Sequence, residues 1–121
     1  MKAVITSSGE SPDSALDPRF GRAAFFISFA LPEGGCEAIR NDCKLNAVQG
    51  AGIQAAEQVA SFGAEALITG HCGPKAFKAL SAAEVKVFVC EKESSAAEAL
   101  EDFAAGRLNQ MSAPDVEGHW V

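Results

Sequence analysis

The chain has 121 residues, of which 48% are hydrophobic and 21% charged, with a formal net charge of −6 and a pI near 4.8. That length and balance fit one soluble domain with its own core and argue against disorder. An acidic chain with no run of Lys or Arg argues against nucleic acid or an anionic membrane as partner.

Met1 to Ser7 reads as a strand that is apolar on both faces, Val4 and Thr6 on one side and Ala3 and Ile5 on the other, which suits the middle of a sheet. Its opening, MKAVITSSGE, has no apolar stretch of the secretion-signal kind. No segment approaches the roughly 20 apolar residues of a membrane span. The expected location is the cytoplasm of a bacterium or archaeon. Ser7 to Arg22 is a long loop rich in Ser, Gly, Asp and Pro. A second strand, Ala23 to Ala30, and a short third, Cys36 to Arg40, are joined by a Pro-Glu-Gly-Gly turn and pair as an antiparallel hairpin. Asn41 to Gln49 is a polar loop.

Gly50 to Phe62 has helical spacing, with Ile53, Ala56, Val59 and Ala60 on one stripe and Gly63 as the C-terminal cap. A fourth strand runs from Ala64 to Gly70, and Pro74 opens a short helix to about Leu80. Val85 to Cys90 is a fifth strand. Ser95 and Glu98 form a capping box for a last helix, Ala96 to Ala105, closed by Gly106. The expected domain is residues 1–106, with 107–121 a loosely attached tail.

A hairpin followed by right-handed crossovers implies a mixed five-stranded sheet of order 3-2-1-4-5 with helices on both faces, an α/β arrangement resembling the ribonuclease H-like fold. The C-terminal ends of strands 1, 4 and 5 then share one edge of the sheet. That edge gathers the loops Ser7–Arg22, Asn41–Gly50, His71–Pro74 and Cys90–Glu93 around the switch point where open α/β sheets place ligands.

Several stretches on this edge carry chemistry. His71 and Cys72 stand between Gly70 and Gly73 ahead of a helix start, and an imidazole beside a thiol suits Fe–S units, copper or zinc. An exposed loop His and a buried Cys fit the same residues. Cys43 lies beside Lys44 in a polar loop, a setting that favours thiolate. Cys90 ends an apolar strand and is expected to be buried; Cys36 falls on the opposite edge. In DPRFGR, residues 17–22, Arg22 is suited to an anion and Gly21 to close backbone approach. GAGIQAA, residues 50–56, opens a helix with a glycine-rich turn that can meet an anion, but it lacks the full dinucleotide fingerprint. Arg19, Arg22, Lys44 and Lys75 make this edge locally basic in an acidic chain. No nucleophilic triad is present, and the strands lack the converging carboxylates of a two-metal site.

Three segments, DPRFGRAAFF, GAGIQAAEQVASFGAEALITG and GPKAFKAL, closely resemble the dinitrogenase iron-molybdenum cofactor biosynthesis family over roughly residues 1–110. The resemblance implies a non-enzymatic protein that binds, stores or hands on an iron–sulfur or molybdenum-containing (Fe–Mo or Mo–Cu) sulfide cluster. By position, it implies that Arg19, Phe20 and Arg22, the Gly50 and Gly52 turn and the turn containing Gly73 line the ligand site. Lys75 is expected there for its charge, and Cys43, His71 and Cys72 are the expected metal donors of a subgroup that coordinates the cluster directly, a reading of these residues and not a rule of the family. Cluster-assembly proteins or an ATPase are the implied protein partners. The alternative is an adaptor of such an assembly system that has lost the cluster.

Overall fold

A computed structural model of the chain describes residues 1–31, 34–41, 51–91 and 93–111. In chain order the elements are β1 (Lys2–Ser7), a single 3-10 turn (Phe20–Arg22), β2 (Phe25–Ala30), β3 (Cys36–Arg40), α1 (Ala51–Ser61), β4 (Ala66–Thr69), α2 (Pro74–Ala82), β5 (Lys86–Val89), α3 (Ala96–Ala104) and β6 (Asn109–Gln110). The sheet has six strands in the order β3-β2-β1-β4-β5-β6. Strands β1, β4 and β5 are mutually parallel, and β2 runs antiparallel to both β1 and β3.

The expected order 3-2-1-4-5 therefore holds, and the sheet gains a strand at one end. The segment after residue 106 turns back along β5: Val89 pairs with Asn109 and Phe88 with Gln110. Arg107 anchors it through its guanidinium on Asp102 at 2.8 Å. Met111, 8% exposed, donates its N–H to the Val87 carbonyl at 2.7 Å. Two paired residues are too short to show a period in sequence, so the strand forms by docking on β5 rather than by its own pattern.

Side-chain alternation sends each central strand into two cores. Val4, Phe26, Leu67 and Val87 meet Ala55, Val59, Ala76 and Leu80 of α1 and α2 on one face. Ile5, Ile27 and Ile68 meet Ala96 and Ala99 of α3 on the other. Burying each of these larger side chains contributes about 1.5–3 kcal/mol before entropy is counted. Gly63 and Gly106, at φ +78 and +74, end α1 and α3 in the left-handed conformation that only glycine adopts at little cost.

At the C-terminal ends of β1 and β4 the α1/α2 face turns polar. Thr6 and Thr69 are fully buried, and their hydroxyls meet at 2.9 Å. Thr6 donates to the Asp17 carbonyl at 2.6 Å. A hydroxyl has one proton, so Thr69 donates within the pair. These bonds dock the long loop onto the end of the sheet.

Candidate functional site

The loop of residues 8–18 crosses the sheet edge and continues into the 3-10 turn. Asp17, 7% exposed, starts the second half: its Oδ1 accepts from the Arg19 N–H at 2.9 Å, an Asx turn, and from Arg19 Nε at 3.2 Å. Oδ2 accepts from Arg19 Nη2 at 3.3 Å. The carboxylate, first as hydrogen-bond partner and then as neighbouring charge, raises the Arg19 guanidinium further above its ordinary value, so this exposed side chain stays cationic.

Arg19 then forms a parallel bridge with His71. The His71 N–H donates to the Pro18 carbonyl at 2.7 Å, and the Phe20 N–H donates to the His71 carbonyl at 3.3 Å. Gly70 makes the clamp possible. A Cβ there would sit 2.6 Å from Pro18 Cβ and 2.8 Å from its Cα, so no side chain fits. DPRFGR and GHCGP, distant in sequence, are thus two halves of one clamp.

The clamp opens onto a pocket of about 330 Å³ lined by Phe20, Gly21, Gly52, Ile53, His71, Gly73, Pro74, Lys75 and Ala76. Gly52 lets α1 approach α2: a Cβ there would meet Ala76 Cβ at 3.2 Å. Helix α2 begins with Gly73 as N-cap, without a side-chain cap bond, followed by Pro74. Its first turn therefore presents backbone N–H groups, and the positive end of the helix dipole, beside Lys75. Phe20, Ile53, Pro74 and Ala76 supply an apolar lining. The site suits a small anion with a polarisable, weakly hydrated surface.

Of the residues expected at the site, Phe20, Gly52, Gly73, Lys75 and His71 line this one pocket. Arg19 and Arg22 lie beside it, both exposed, and Arg19 is turned to Asp17. Cys43 and Gly50 lie outside the described residues. His71 and Cys72 part company: His71 is exposed, whereas Cys72 is 1% exposed in the core with Val4 and Phe26. Among the described residues, no group of at least three His, Cys, Asp or Glu side chains is arranged to hold a metal ion. Cys90 is buried as expected, and Cys36 is exposed on β3, across the sheet from this edge. The sequence reading passed over Asp17, Thr6, Thr69 and Asn41. Asp17-Pro18-Arg19 had a readable signal, the Asx turn; the two threonines show their link only when β1 and β4 are paired.

Two other clefts are at least as large. One of about 380 Å³ beside Cys90 contains Glu91 and Asp102, with its Arg107 bound to Asp102. One of about 470 Å³ lies between α2 and β6. Neither has an uncapped helix start facing into it. No helix among the described residues is long and apolar enough to cross a membrane.

The family model for the dinitrogenase iron-molybdenum cofactor matches residues 1–106. The apo form of the orange protein from Desulfovibrio gigas is similar with a TM-score of 0.91 at 36% identity, covering 94% of this chain and 95% of that one. A Thermotoga protein solved by NMR, described as a putative NifB protein of the DUF35 family, is similar with a TM-score of 0.83 at 32% identity, over 97% of this chain and 98% of that one. No curated protein matches this sequence.

Proposed function

The chain belongs to the dinitrogenase iron-molybdenum cofactor family, and from that premise we propose that it binds an anionic iron–sulfur or molybdenum-containing sulfide cluster for storage or transfer during cofactor assembly. The binding place is the pocket between the clamp and the start of α2, and the role is that of an accessory protein rather than an enzyme. The sheet order, with its antiparallel hairpin and parallel crossovers, supports classing the fold with ribonuclease H-like proteins.

One observation carries the reading: the uncapped N-terminus of α2 opens, with Lys75 in its first turn, into an otherwise apolar pocket. Charge on a sulfide cluster is spread over large, polarisable atoms. Such a surface needs modest positive potential and apolar contact more than a dense set of hydrogen bonds. His71 is the imidazole at the pocket wall and the candidate for direct metal contact. The burial of Cys72 favours packing for that thiol.

The test is anaerobic incubation with iron, sulfide and molybdate, then gel filtration, visible absorption and metal analysis. The wild-type protein is expected to elute coloured and loaded. Lys75→Glu is expected to lower the retained metal about tenfold, since reversing one charge in a half-enclosed site changes binding by more than 1 kcal/mol. A colourless wild-type protein that carries no metal would sink the proposal and leave the adaptor reading.

A further inference from the structure

Asn41 follows β3 and is fully buried. Its backbone N–H donates to the Ala24 carbonyl at 2.9 Å. Its side-chain Nδ2 donates to the Ala23 carbonyl at 2.8 Å and to the Gly21 carbonyl at 3.4 Å. Among the described residues its Oδ1 has no partner. Leaving a buried acceptor unsatisfied costs about 1–3 kcal/mol, so the other half of the amide must be supplying something that an apolar side chain cannot. That something is a neutral pair of N–H donors aimed at two carbonyls. An aspartate of the same shape would turn a carboxylate oxygen, an acceptor, on both carbonyls.

The Gly21 carbonyl lies within, and the Ala23 carbonyl directly after, the 3-10 turn whose Phe20 and Gly21 form one wall of the pocket. Two backbone bonds also tie the turn. One is its closing bond from the Arg22 N–H to the Arg19 carbonyl at 3.1 Å, and another is the 3.3 Å bond from Phe20 to His71. His71 thus holds the wall from the β4 side and Asn41 holds it from the β3 side. Asn41 is not itself among the residues that line the pocket.

We propose that Asn41 is a positioning residue of the site, fixing the Phe20–Gly21 wall at its distance from the start of α2. This rests on the reading of that pocket as the ligand site. The experiment titrates tetrathiomolybdate, as a probe anion, into wild-type protein, Asn41→Asp and a control, Ala99→Gly, by visible absorption at mildly alkaline pH. Ala99, on α3, packs against the far face of the sheet. Asn41→Asp is expected to weaken binding about tenfold or more, the equivalent of its two lost hydrogen bonds. Ala99→Gly is expected to lower the melting temperature while changing affinity by less than about twofold, because distant sites add independently. Affinity in Asn41→Asp equal to wild type overturns the proposal, and so does an equal loss of affinity in the control.

Should the aspartate variant fail to fold, Asn41→Ser, which keeps a single donor, is judged by the same comparison. If the wild-type protein ignores the probe, the pocket reading falls by itself. The hold of Asn41 on the wall is then read from the amide resonances of Gly21 to Ala24. Displaced resonances in the variant support the anchoring, and unmoved ones overturn it.

Discussion

Helices α2 and α3 start on the same edge of the sheet, one on each face, and their first turns are finished in opposite ways. At α3 the capping box is complete: the Glu98 N–H donates to Ser95 Oγ at 3.1 Å, and the Ser95 N–H donates to Glu98 Oε1 at 2.9 Å. The loop closes what remains, the Ala96 N–H donating to the Ser14 carbonyl at 3.0 Å and the Ala97 N–H to the Pro12 carbonyl at 2.9 Å. At α2 the cap is Gly73, which offers no side chain, and Pro74 has no N–H. The same long loop seals one helix start and then crosses to build a wall beside the other. The contrast locates the candidate site at the helix start whose N-cap residue supplies no side-chain bond, a stronger criterion than cavity size.

The largest expected effect breaks the open side. Gly70→Val drives a branched side chain into the Pro18 backbone and parts the Arg19–His71 bridge. A loss of about 3 kcal/mol in denaturant unfolding is expected, the upper end of ordinary overpacking, together with loss of tetrathiomolybdate binding. Unchanged affinity in a folded Gly70→Val protein would show that the clamp does not shape the pocket. Gly73→Asp makes α2 resemble α3 by giving it a capping carboxylate in an already extended residue, φ −70 and ψ 168. Probe affinity is expected to fall about tenfold while stability rises by about 0.5 kcal/mol. If both quantities fall together, the open cap is not what binds the anion. The smallest effect is on the sealed side. Ser95→Ala removes one arm of the capping box and is expected to cost about 1 kcal/mol in thermal unfolding and to leave probe binding as it was.

Much of the frame was legible because its signals are local. The two-faced apolar pattern of β1, the glycines that end α1 and α3, the Ser95–Glu98 box and Pro74 at a helix start all act within a few residues. Together with the handedness of crossovers they were enough to order five strands and to bring Phe20, Gly52, His71, Gly73 and Lys75 to one edge. The signals that failed act at longer range. β6 is held by Arg107 on Asp102 and by pairing with β5, neither of which leaves a period in sequence. Adjacent in sequence, His71 and Cys72 looked like one donor pair. At the turn after β4 successive side chains take different directions, so one reaches the surface and the other the core.

The sequence by itself determined the fold class, the family and the edge of the sheet on which the candidate residues gather. Propensity, capping and alternation are written residue by residue, and topology follows from them by a few chirality rules. The tertiary structure alone decided which residues on that edge share a cavity. The Gly70–Pro18 contact, the Thr6–Thr69 pair and the reach of Asn41 to Gly21 and Ala23 join segments 18 or more residues apart, or strands paired only after folding. Such contacts depend on distances that no local pattern encodes.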